Sequence, residues 1–179
     1  MSEFYELKIA GLTRKLNMFP VNDKLDIAAF IMFNDVELTV AVATELLKKV
    51  PEFDVILTPE AKSIPLAYEM AKQSGKPYIV ARKGLKVYMR EPIEVSVRSI
   101  TTNKEQKLFL GQDDVKFLKD RKVLIVDDVI STGESLAAVK KLCNEAGGIE
   151  VASCAALAEG DAADRKDICF LEKLPLFFK

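Results

Sequence analysis

Short, nearly continuous apolar runs alternate along the chain with segments whose apolar residues recur every three or four positions. The runs at 53–58, 76–82, 123–126 and 149–157 read as strands buried on both faces. The helical spacing appears in three places. A helix capped by Asn34 or Asp35 is predicted to run through Val50. A second, after Ser63, carries Leu66, Ala67, Met70 and Ala71 on one face. A third carries Leu136, Val139, Leu142, Cys143 and Ala146 and is ended by Gly147 and Gly148. Strands that alternate with amphipathic helices predict an α/β fold, a parallel sheet with helices on both faces. Ligands of such sheets sit at the carboxyl ends of the strands.

The remaining segments have weaker patterns. Tyr5, Leu7 and Ile9 alternate, as do Leu16 and Met18, so residues 3–21 are read as a β-hairpin turning at Ala10 and Gly11. Residues 27–33 form an apolar run. Residues 84–112 lack a helical period. Val95, Val97 and residues 107–110 suggest a two-stranded ribbon with residues 101–104 at its tip. Residues 174–178 are read as a terminal strand or core plug. No repeat, linker or low-complexity segment interrupts the pattern, so residues 1–179 are expected to form a single domain.

Composition narrows the function. A net charge of −1 gives no general pull towards nucleic acid. No run approaches the ~20 apolar residues of a membrane span, so no membrane partner is expected. Cys143, Cys154 and Cys169 lie in apolar surroundings and read as reduced thiols of a cytoplasmic protein. The count of histidines is 0, which excludes a histidine-based triad or a histidine-rich metal site.

The chemistry concentrates at residues 123–135. A buried strand delivers Asp127 and Asp128, and the loop Ser131, Thr132, Gly133, Glu134, Ser135 then opens a helix. The first turn of a helix has unpaired N–H groups and a positive dipole end, which suits a phosphate. Gly133 allows close backbone approach, and the serine and threonine hydroxyls add donors. Two carboxylates would repel that phosphate unless they face another part of the same ligand: sugar hydroxyls, a Mg²⁺ ion or developing positive charge. The pattern therefore fits a phosphorylated sugar. An ordinary strand with a polar exit turn is the plain alternative.

This segment resembles the phosphoribosyl-diphosphate (PRPP) signature of the type I phosphoribosyltransferases, with Glu134 in place of a second glycine. From about Leu25 to Glu159 the chain is similar to the adenine and xanthine branch of that family. The resemblance implies the PRPP-binding parallel-sheet fold. It adds a small N-terminal hood with the base-side segment (1–34) and a β-ribbon flap (84–112) that closes over the ligands. It implies catalytic roles for Asp127 and Asp128 and 5′-phosphate contact by Ser131, Thr132, Gly133, Glu134 and Ser135. Glu60, Ala61, Lys62 and Ser63 match the pyrophosphate loop, where the family has a strained and in some members cis peptide between non-proline residues. Arg82, Lys83, Lys86 and Arg90 match a basic arm that meets pyrophosphate, in the family often across a dimer interface. A strand–helix turn with a solvent lysine, and a solvated charged face, are the plain readings of these two stretches.

On the base side the resemblance points to Phe30, Ile31, Met32 and Glu159, with plain core packing as the other reading of the first three. Adenine enzymes often carry a glutamate in the flap. Thr101 falls near that place here, with Glu105 a few residues on, which weakens a strictly adenine assignment. The implied activity is a purine phosphoribosyltransferase of purine salvage, with adenine slightly favoured over xanthine or another 6-oxopurine. The partners implied are PRPP, a free purine base and a second copy in a homodimer. Mg²⁺ is the implied cofactor, held mainly by PRPP near Asp127 and Asp128 rather than by a protein ligand set. A catalytically reduced, PRPP-sensing regulatory protein is the alternative, although no basic helix for DNA is evident. A response-regulator receiver is rejected, because too few residues follow Asp127 and its acid pocket has no use for the serine–threonine loop.

Overall fold

The structure is a computed structural model and describes residues 3–98 and 105–179. In chain order the elements are β1 (Phe4–Ile9), β2 (Leu12–Asn22), β3 (Leu25–Ala28), α1 (Val36–Leu47), β4 (Val55–Pro59), α2 (Ile64–Ser74) and β5 (Tyr78–Ala81). They continue with β6 (Ile93–Arg98), β7 (Glu105–Leu110), α3 (Gln112–Leu118), β8 (Lys122–Ile130), α4 (Glu134–Glu145), β9 (Ile149–Glu159), a 3-10 turn (Gly160–Asp164), β10 (Cys169–Leu174) and β11 (Phe177–Phe178).

The central sheet has the order β10-β9-β8-β4-β5, and every neighbouring pair in it is parallel. Its inner strands β4 and β8 are covered on both sides, which is why they read as continuous apolar runs. In β8, Leu124 and Val126 join the core beneath α1, α2 and the N-terminal strands. Val123 and Ile125 face the core formed with α3, α4 and the β6–β7 ribbon. Strand alternation thus divides one apolar run between two cores. From β4 the chain moves through α2 to β5 at one edge, then returns to place β8 on the other side of β4. The gap between β4 and β8 is therefore the topological switch point, where open α/β sheets leave a crevice for ligands.

The second sheet is antiparallel, ordered β1-β2-β3-β11. The predicted hairpin is present, and Ala10 and Gly11 both adopt positive φ at its turn. β11 closes this sheet by pairing with β3, so the chain end is a strand of the hood. Arg14 of β2 clips the hood to α1, with Nε donating to Asp35 at 2.6 Å and Nη2 to Glu37 at 2.7 Å. Asp35 is the α1 N-cap, accepting from the Leu38 amide at 3.0 Å. Its contact with Arg14 lowers its carboxyl below the ordinary value.

Several boundaries differ from the sequence reading. α1 ends at Leu47 rather than Val50, where the Lys49 amide bonds the Leu46 carbonyl three residues back and tightens the last turn. Residue 112 opens α3, so it belongs to a helix that the sequence reading does not predict. The β6–β7 ribbon is present, and Val95, Leu108 and Leu110 at its root are buried against the α4 side. The expected tip at 101–104, including Thr101, and the Glu105 side chain lie outside the described residues. No described helix is long and apolar enough to cross a membrane.

Candidate active site

Three strands bring the candidate residues together at their carboxyl ends. β8 runs on through both acids to Ile130, so Asp127 and Asp128 are strand residues rather than a loop after it. A cavity of about 200 Å³ is lined by Pro59, Glu60, Ala61, Lys62, Ser63, Lys83, Asp127, Asp128, Val129 and Ser135. A second of about 130 Å³ is lined by Asp127 and residues 129–136. Asp127, Val129 and Ser135 belong to both, so the two form one trench divided at Asp127.

The loop after β4 has a cis peptide between Glu60 and Ala61, in the place the resemblance implies. Buried hydroxyls fix its direction. Ser63 donates to the Pro59 carbonyl at 2.9 Å. The Thr58 hydroxyl lies 2.8 Å from Ser63 Oγ and 2.8 Å from the Val126 carbonyl, donating to one of them at a time. This network ties the exit of β4 to the strand that carries the acids. Thr58 is a supporting residue that the sequence reading misses, because its partner lies across the sheet.

Glu60 also lines the trench and is held there from the β5 side. Its Oε2 accepts from the Lys83 amide at 2.9 Å and lies 3.3 Å from Arg82 Nε. Arg82 also bridges to β7, exchanging backbone hydrogen bonds with Phe109. Glu60 and Arg82 therefore brace the loop from β5, while Lys62 and Lys83 line the trench. Lys86 lies outside it.

The electrostatics centre on two buried carboxylates. Lys62 Nζ lies 3.5 Å from Asp128 Oδ2, and that oxygen is buried without a hydrogen-bond partner among the described residues. Asp127 Oδ1 accepts from the Asp128 amide at 2.9 Å. Burial, then the Asp128 charge and a side-chain hydrogen bond with Asp128, push the Asp127 carboxyl up to about 8, against an opposing pull from Lys62. Such a pair is costly to hold charged unless a ligand brings hydroxyl donors or a cation.

Among the described residues, no group of three or more acidic or cysteine side chains could hold a metal ion alone. Mg²⁺ commonly takes one or two carboxylates and completes its shell with waters and substrate phosphates. The orphaned Asp128 oxygen and its neighbour Asp127 fit that partial role.

The second arm of the trench is the start of α4. Gly133 is the N-cap at φ 81°, and its carbonyl accepts the first helical bond from the Ala137 amide at 2.9 Å. The Ser131 and Ser135 hydroxyls have no partner among the described residues. A Cβ built on Gly133 would lie 2.5 Å from Arg165 Nη1, so an arginine from beyond β9 stands against the loop.

The base-side candidates divide. Phe30 is 4% exposed and Met32 1%, both within the core, whereas Ile31 is 56% exposed. Glu159 ends β9, half-buried, next to Gly160, against which Leu176 of the chain end packs.

The model of the phosphoribosyl transferase domain matches residues 33–175. The chain is 36% identical over 108 residues to an adenine phosphoribosyltransferase of Thermotoga sp. (strain RQ2), covering 60% of each protein. It is 37% identical over 107 residues to a hypoxanthine/guanine phosphoribosyltransferase of Methanothermococcus okinawensis, covering 59% of this chain and 55% of that one. The matched segments thus span less than two thirds of these relatives. A solved adenine phosphoribosyltransferase from Thermoanaerobacter pseudethanolicus shares the fold at a TM-score of 0.74 and 23% identity, over 88% of this chain and 95% of that one. The matched span contains both phosphate-type loops and the acid pair between them, and the chain belongs to the phosphoribosyl transferase domain family.

Proposed function

We propose that the protein is a purine phosphoribosyltransferase of cytoplasmic purine salvage. It would join a free purine base to C1 of PRPP and release pyrophosphate. One observation carries the reading: a buried acid pair at the switch point divides a trench whose two arms are anion-type loops. In this reading residues 131–135 hold the 5′-phosphate. Lys62, Lys83 and the loop amides hold the diphosphate, and Asp127 and Asp128 hold the ribose hydroxyls. As the bond from C1 to the diphosphate breaks, positive charge grows on the sugar. The buried carboxylates offset that charge without reorganising. Mg²⁺, when bound, neutralises the departing diphosphate. Positioning of base, sugar and leaving group supplies much of the rest, so the lack of histidine is no obstacle.

Adenine is the favoured base, slightly ahead of xanthine or another 6-oxopurine. The relatives' names, adenine in one and hypoxanthine/guanine in the other, keep both kinds in the test. A homodimer belongs to the same reading. Phe33, Val36, Val40 and Tyr68 are exposed around a groove of about 480 Å³ between α1 and α2. Sedimentation equilibrium should give a dimer, and a monomer at assay concentration would remove that element.

The test of the activity is a panel of free bases with PRPP and Mg²⁺, read by pyrophosphate release. Turnover on at least one purine is expected. PRPP binding without turnover on any base would favour the PRPP-sensing alternative.

A further inference from the structure

Arg165 lies just past the 3-10 turn that follows β9, outside both loops that line the trench. Asp167 accepts from its Nε at 2.9 Å and from its Nη2 at 2.6 Å. This fork fixes the guanidinium plane and leaves Nη1 outside the clamp. Nη1 is the atom that a Cβ on Gly133 would approach to 2.5 Å. The clamp is anchored to the same helix as the loop. Asp167 lies 3.7 Å from Lys140 Nζ of α4, and Lys140 pairs with Glu150 at 2.9 Å.

Residues 131–135 contain no lysine or arginine, and Glu134 adds a negative charge in the first turn of α4. A phosphate there would have hydroxyls, amides and a helix end, but no cation from the loop itself. Gly133, already favoured there by its φ of 81°, leaves room for the Arg165 head against the loop. We propose that Arg165 is a further binding residue of this site, supplying through Nη1 the cationic contact to the 5′-phosphate of the substrate. The inference rests on the function proposed above and adds a residue to it.

The test titrates wild type, Arg165→Gln and Arg165→Lys with ribose 5-phosphate and, separately, with inorganic pyrophosphate, both with Mg²⁺. Arg165→Gln should weaken ribose 5-phosphate by about tenfold or more, the scale of one charged hydrogen bond, and leave pyrophosphate unchanged. Arg165→Lys should recover part of the loss, because it keeps the charge without the planar fork. In kinetics the KM for PRPP should rise while kcat stays within a few-fold. Unchanged ribose 5-phosphate affinity in Arg165→Gln, or equal losses for both ligands, overturns the assignment. If Arg165→Gln does not fold, Asp167→Asn replaces it: releasing the clamp should weaken ribose 5-phosphate several-fold, and no change overturns the assignment. Wild type that binds neither ribose 5-phosphate nor PRPP overturns the proposed function itself, and the Arg165 assignment falls with it.

Discussion

At the carboxyl ends of β4 and β8, polar groups sit at the tips of strands buried on both faces, and Thr58, Ser63, Asp127 and Asp128 are themselves buried. In the N-terminal sheet, β1 and β2 alternate buried and exposed residues, and of the base-side candidates Phe30, Ile31 and Met32 lie on the connection from β3 to α1, while Glu159 ends β9. The first region holds its chemistry rigidly, since the backbone that aims each carboxylate is also the centre of the core. The second divides its side chains between core and surface residue by residue. Sugar and phosphate, common to every phosphoribosyl donor, would meet the rigid half, and the variable base would meet the adaptable half.

Phe30→Ala should give the largest change. Emptying a site that is 4% exposed should cost about 3–5 kcal/mol in urea unfolding. Ile31→Ala, at 56% exposure, should stay within about 0.5 kcal/mol. A rise in KM for the base at Ile31 alone would sharpen the division, and equal stability losses at both would break it.

Asp128→Asn comes next. It keeps the shape but removes a buried charge opposite the developing cation, so kcat should fall by roughly 100-fold or more with unfolding unchanged in cooperativity. A near-silent variant would take the acid pair out of the chemistry.

Asp127 connects the rigid half to pH. Its carboxyl rises from 3.8 to about 8 on folding, so between these values the folded state binds more proton than the unfolded chain. Its contribution to stability is therefore fully present below about pH 4 and is lost as pH rises through about 8. Asp127→Asn should remove that decline, gaining stability relative to wild type as pH rises. Parallel stability–pH curves for the two proteins would contradict it.

Ser131→Ala should be smallest. Removing one neutral donor among several costs about 1 kcal/mol, mostly in PRPP affinity. Abolished turnover would mean that the hydroxyl takes part in the chemistry.

The rigid half was also the more legible in the sequence. The run at 123–126, the paired acids and the small-residue loop are contiguous, so local pattern sufficed, although β8 continues to Ile130. The hairpin was readable because Tyr5, Leu7 and Ile9 alternate. β10 was not: Phe170, Leu171, Glu172 and Lys173 mix apolar and charged residues on a partly exposed edge strand. α3 is seven residues long, with Asp113, Asp114 and Lys116 among them, too short and too charged to show a period. The splitting of Phe30 from Ile31 depends on how α1 docks beneath the hood. The placing of Arg165 against Gly133 depends on a contact between elements distant in the chain.

The most direct test of two loops dividing one ligand is calorimetric titration of wild type and Lys62→Ala. The ligands are PRPP, pyrophosphate and ribose 5-phosphate, each with Mg²⁺. Lys62 lies on the loop after β4, 3.5 Å from Asp128, and does not line the cavity formed by Asp127 and residues 129–136. The account predicts that Lys62→Ala weakens PRPP and pyrophosphate by about tenfold, the scale of one charged contact, and leaves ribose 5-phosphate within about twofold. Equal weakening of all three ligands, or selective loss of ribose 5-phosphate, would contradict it.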